Sequence, residues 1–133
     1  MPINADWDNE DRTVIRIHVM DPWTTDEYSH ATLHAWSLME EVNYSVHLII
    51  DFTDAHGFPK NMLASAPTTN SHIHPRQGLV VGVKINPYFR ALMKAAIRVF
   101  PRLGHDLFFT QTLQNAHTLI RTQSITPRRD SPK

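Results

Sequence analysis

The run Val46-His47-Leu48-Ile49-Ile50-Asp51-Phe52 decides how the rest of the chain is read. It is short, apolar and rich in β-branched residues, with a single carboxylate near its end. The stretch Thr53-Asp54-Ala55-His56-Gly57 closes it. Successive side chains of a strand point to opposite faces, so a run that is apolar on both parities describes a strand covered above and below. Helices must supply that cover, and the flanking sequence contains them.

Upstream, Ile3 to Trp7 and Thr13 to Met20 read as two strands joined by the acidic turn Asp8-Asn9-Glu10-Asp11. In the second, Ile15, Ile17 and Val19 share an apolar face, while Val14, Arg16 and His18 share a mixed one. A hairpin is expected. Thr24 and Glu27 then have capping-box spacing, and Trp23 with Tyr28 fits a hydrophobic staple. The helix they start is predicted to run to about Glu41, with Tyr28, Ala31, Ala35, Leu38, Met39 and Val42 on its inner face.

Downstream, Gly57-Phe58-Pro59-Lys60 is a loop, and Met62, Leu63 and Ala66 favour a helix over Asn61 to Ser71 that Pro67 interrupts. Gln77 to Ile85 reads as a second buried strand. Asn86-Pro87 supplies a cap and a proline at the first helical position. The helix that follows is predicted to reach Phe100 and to bury Phe89, Leu92, Met93, Ala96 and Phe100. Asp106 to Phe109 makes a last strand, and Thr112 caps a closing helix. The polar, proline-broken residues from Thr122 to Lys133 are expected to form a disordered tail. The order β-β-α-β-α-β-α-β-α implies one α/β domain over residues 1–121, with a mixed, mostly parallel sheet of about five strands and right-handed crossovers.

Composition narrows the function classes. A chain of 133 residues buries roughly 70% of its unfolded surface without staples. Thirteen basic and thirteen acidic residues balance, which argues against a dedicated nucleic-acid binder. The balance is uneven along the chain, with most acids at or before Asp54 and a basic region from Lys84 to Lys133. No cysteine means no disulfide, thiol nucleophile or thiolate metal site. The start lacks the basic and apolar regions of a signal peptide, and no apolar run reaches the ~20 residues of a membrane span, so a cytoplasmic location is expected.

The opening hairpin, the Trp-containing first helix, Leu48-Ile49-Ile50-Asp51-Phe52, His74-Pro75 before Gly78-Leu79-Val80-Val81-Gly82, and Thr112-Leu113-Gln114-Asn115-Ala116 together resemble the SpoIIAA-like (STAS/SEC14-like) proteins over residues 3–121. The resemblance implies a small STAS-like α/β domain without a settled enzymatic activity. STAS relatives that are switched by phosphorylation carry Asp-Ser-Ser/Thr-Gly after the central strand. The nearest string here, Asp54-Ala55-His56-Gly57, lacks both hydroxyls, so no phospho-switch is carried over.

Several side chains invite a functional reading. Asp51, with Asp54 and His56 in the loop beyond it, sits where ligands collect in open α/β sheets, although an Asx-type turn to the following loop serves Asp51 equally well. His56, His72 and His74 fall short of the three or four ordered ligands that zinc requires, so no metal and no other cofactor is expected. No nucleophile elbow, P-loop or dinucleotide fingerprint occurs. Arg90, Lys94, Arg98 and Arg102 form an i, i+4 basic ladder suited to an acidic partner or anionic headgroups. Met62, Leu63, Phe89 and Met93 line either a cavity for a lipophilic ligand or plain core. Trp23 and Trp36, read as exposed, are interface anchors. The leading expectation is a non-enzymatic regulatory or protein-interaction domain that self-associates, as a homodimer. A lipophilic-ligand or anionic-membrane binder is the alternative, and an enzyme using Asp51 with a nearby histidine comes third.

Overall fold

The computed structural model describes residues 3–57, 74–99, 101 and 106–125. They form β1 (Ile3–Trp7), β2 (Val14–Met20), α1 (Thr25–Met39), β3 (Val46–Asp54), β4 (Gln77–Val83), α2 (Pro87–Val99), β5 (Leu107–Thr110) and α3 (Leu113–Ile125). The helix expected over Asn61 to Ser71 lies outside the described residues, as do Met62, Leu63, His72 and Arg102.

The five strands lie in one sheet in the order β1-β2-β3-β4-β5. β1 runs antiparallel to β2, and every later neighbour is parallel. The chain is therefore α/β with a mixed sheet, and β3 is its middle strand. Spatial order follows sequence order, so β1 and β2 lie on one side of the middle strand and β4 and β5 on the other.

Each face has its own core. On the first, Ile15, Ile17 and Val19 of β2 and Leu48, Ile50 and Phe52 of β3 pack under Ala31, Ala35, Leu38 and Met39 of α1 and Phe89 of α2. On the second, Ile49, Leu79, Val81 and Val83 pack with Ala116 and Ile120 of α3. The apolar parity of β3 in both registers is satisfied by this double cover. Helix α3 packs mainly on β3, β4 and β5, reaching Val14 of β2 in the same cluster and Asp8 beyond β1 through His117. The second face over β1 and β2 thus carries the polar parity of those strands, with Asn4 and Asp6 exposed and Arg16 and His18 half-buried.

Local signals set the helix starts. Thr24 accepts from the Glu27 amide while the Glu27 carboxylate accepts from the Thr24 amide, a complete capping box. The rings of Trp23 and Tyr28 lie 5.9 Å apart, as the staple requires. Burial pushes the Tyr28 phenol up to about 12. Asn86 Oδ1 accepts from the amides of Tyr88 and Phe89, and Thr112 Oγ1 from that of Asn115, capping α2 and α3. Helix α3 runs on to Ile125, so Thr122 to Ile125 belong to it and not to the tail.

Candidate functional site

The titratable side chains gather where β2 and β3 end. Asp51 is 1% exposed and is the only buried charged residue among those described. Its Oδ1 accepts from the Thr53 amide at 2.9 Å and the Thr53 hydroxyl at 2.6 Å. Its Oδ2 accepts from Arg16 Nε at 3.2 Å and Nη2 at 2.7 Å. The amide contact is the Asx-type turn expected from sequence. Arg16 reaches Asp51 because parallel pairing sets His18 opposite Asp51, which leaves Arg16 as its diagonal neighbour on the same face.

This constellation fixes the charge on Asp51. Burial pushes its pKa up, but the Thr53 hydroxyl and amide and the Arg16 guanidinium outweigh it, and the carboxyl is held below its ordinary value. Such a group is a permanent anion at neutral pH with both oxygens engaged. A histidine does stand beside Asp51, His18 directly opposite it in the register, but its ring turns to another carboxylate. His18 Nε2 lies 2.7 Å from Asp54 Oδ2, one step along the strand edge.

The loops beyond the strands are tied together by backbone. Asp21 Oδ2 accepts from the His56 amide at 2.7 Å, and this bond leads the effects that lower the Asp21 pKa. The His56 carbonyl accepts from Asn86 Nδ2, and the Gly57 carbonyl from Trp23 Nε1, both at 2.9 Å. The role of His56 here is carried by its main chain, for its side chain is 87% exposed.

The tryptophans depart from expectation. Trp23 is 7% exposed and packs, tilted, at 6.0 Å from Phe52 as well as against Tyr28, so it is core and not an exposed anchor. Trp36 is half-buried, with its indole N–H donating to Gln77 Oε1 at 2.9 Å and its ring 6.4 Å from His74. Trp36 reads as exposed because it falls off the centre of the helical stripe, whereas Trp23 keeps the staple contact with Tyr28 expected of it and loses only the exposed role. The partners that cover them come from distant strands and loops.

The basic ladder is split. Arg90 is half-buried and lays its guanidinium 5.8 Å from the Phe109 ring centroid. Lys94 and Arg98 are exposed. Of the lipophilic set, Phe89 is buried against Phe52, with ring centroids 6.4 Å apart, and Met93 packs on the same core. No group of three or more His, Asp or Glu among the described residues is arranged to hold a metal ion. His74 pairs instead with Glu40 at 2.6 Å.

Sequence reasoning missed His47. Its Nδ1 accepts from the Leu79 amide at 2.9 Å, where the register between β3 and β4 shifts. The signal available was the glycine opposite, Gly78, whose missing Cβ makes room for the ring.

No helix among the described residues is long and apolar enough to cross a membrane. No family model, no curated protein and no solved structure matches the chain.

Proposed function

We propose that this chain is a non-enzymatic interaction domain of STAS-like kind, without a phospho-switch, that works by presenting its surface to protein partners. The observation that carries the reading is the state of the strand-end carboxylates. Asp51 is closed by Arg16 and Thr53, Asp54 by His18, and Asp21 by loop amides. Asp51, with both oxygens engaged, and Asp21 are held below the ordinary carboxylate range, away from the near-neutral pKa that general-base work needs. Large apolar side chains meanwhile stand in solvent on the helices, with Leu33 56% exposed on α1 and Tyr88 68% and Val99 69% exposed on α2. The sheet order, an antiparallel hairpin followed by parallel strands, supports the STAS-like part of the proposal.

The test is affinity capture with the whole chain beside a Tyr88→Ser/Val99→Ser variant checked for native circular dichroism. A stoichiometric partner held by the wild type and lost by the variant supports the reading. Identical recovery from both, or a turnover that Asp51→Asn abolishes, refutes it.

One observation favours a second reading, the anionic membrane surface. Tyr88 and Val99 share α2 with the exposed cations Lys94 and Arg98, and that helix contains no acid. Each cation near an anionic bilayer contributes about 1 kcal/mol, so two give weak binding that salt abolishes. Co-sedimentation with phosphatidylserine vesicles but not with neutral ones tests it.

A further inference from the structure

Charge is divided along this chain more sharply than its zero net charge suggests. Up to Asp54 the sequence holds eleven acids against two bases, Arg12 and Arg16; beyond it stand eleven bases against two acids, Asp106 and Asp130. With histidines neutral, the two parts carry −9 and +9. Of the later part, the described residues hold six bases (Arg76, Lys84, Arg90, Lys94, Arg98 and Arg121) against Asp106, a net +5. Because strand order follows sequence order, these lie toward the β4–β5 edge and most of the acids toward the β1–β2 edge. Arg90 of α2 lies over Phe109 of β5 while Phe89 of the same helix packs on Phe52 of β3, and α1 packs on β1 and β2.

Internal pairing does not cancel the division. Arg12, Arg16, His18, His56, His74, Arg76 and His117 take up Glu41, Asp51, Asp54, Asp21, Glu40 and Asp8. What stays exposed and unpaired sorts by side. Glu10, Asp11 and Asp26 lie at the acidic side, and Lys84, Lys94, Arg98 and Arg121 at the basic side. Each side also shows apolar surface of the kind interfaces bury, Leu33 on α1 and Tyr88 with Val99 on α2.

We infer that the basic α2–β5 side of one molecule docks on the acidic β1–α1 side of a second copy, in a head-to-tail contact that low ionic strength strengthens. A second copy is the occupant that fits both ends at once. A molecule with no net charge meets no overall repulsion from its own kind, and the leftover charges of one end are the counter-charges of the other. The two patches lie on opposite sides of the sheet, so the contact is heterologous and each molecule has one donor and one acceptor end. The inference rests on the interaction reading above and narrows it to a partner.

Two neutralised variants decide it, Lys94→Gln/Arg98→Gln at the basic end and Glu10→Gln/Asp11→Asn/Asp26→Asn at the acidic end. All positions are exposed, so both should fold. Sedimentation velocity at about 0.01 M salt, where the Debye length is about 30 Å, should show wild-type mass rising with concentration above 15.3 kDa. At about 1 M salt the mass should return to that of the monomer. Each variant alone should associate at least tenfold more weakly. An equimolar mixture should recover a dimer that grows no further, because it retains a single intact junction. A wild-type monomer at every concentration and low salt overturns the inference while leaving capture of a different protein standing. Association indifferent to salt and to both variants overturns it too, as does a monomer whose only α2-dependent binding is to anionic vesicles.

Discussion

Replacing Gly78 with alanine tests a contact between β3 and β4 on which the sheet's register depends. An ideal Cβ at residue 78 lies 2.6 Å from His47 Nδ1 and 2.8 Å from Cε1, closer than real Cβ atoms approach. The imidazole must turn away, and in turning it withdraws the acceptor of the Leu79 amide. Leu79 is buried, so its N–H is left without water as well as without a partner. An orphaned buried donor costs about 1–3 kcal/mol, and Gly78→Ala should lower stability by that amount. His47→Ala should cost about the same 1–3 kcal/mol by the same route. Once the ring is gone, the nearest of the known neighbours to the new methyl is the Val46 carbonyl at 3.5 Å, an ordinary contact. The second substitution should then be neutral, or favourable by about 0.5–1 kcal/mol because alanine suits a strand better than glycine. Urea unfolding of the four proteins of this double-mutant cycle at about pH 8, where a histidine of ordinary pKa near 6.5 is neutral, measures the coupling. Additive losses within about 0.5 kcal/mol would refute the account of His47. The same bond carries a pH signature. Burial lowers the His47 pKa, with the Asp106 charge opposing, and a protonated Nδ1 cannot accept from Leu79. The neutral ring is the one that stabilises the fold. This contribution is complete above about pH 6.5, the unfolded value, and is lost as pH falls through the lower folded value. His47→Ala should flatten that part of the stability profile.

Other outcomes follow from single contacts. Arg16→Met leaves the Asp51 carboxylate inside without its cation and should cost about 2–4 kcal/mol, less than a fully buried pair because the Arg16 side chain is 35% exposed; a loss under 0.5 kcal/mol in urea would show that the pair is dispensable. Ile50→Asp puts an unpaired carboxylate into the first core and should remove the cooperative thermal transition, so a normal melting curve would contradict the burial of β3. Thr24→Ala breaks the capping box and should cost about 1 kcal/mol, with an unchanged denaturation midpoint counting against it.

What was legible in the sequence was local. The capping box at Thr24 and Glu27, the Asn86-Pro87 start and the alternation of Ile15, Ile17 and Val19 all concern residues a few positions apart. The structure places each as the spacing implies. The doubly apolar run at Val46 likewise announced the middle strand. The site depended on register instead. Arg16 and Asp51 are 35 positions apart, and only parallel pairing of β2 with β3 in one register brings them to the same face. Trp23 was misjudged for the same reason, since Phe52 and the Gly57 carbonyl reach it from across the sheet. His47 was hidden in an apolar run whose pattern says nothing of a bulge. The division of charge was visible as a list of residues, but its meaning waited on a strand order that set β1 and β2 apart from β4 and β5.

The strand-end carboxylate decides whether this molecule binds or reacts, and its titration can be observed directly. Carbon-13 NMR of the Asp51 carboxyl across the acid range should give a midpoint below that of an ordinary aspartate, moving upward in Arg16→Met. A midpoint near neutrality in the wild type would mean a carboxyl poised to exchange protons, and the interaction reading would give way to an enzymatic one.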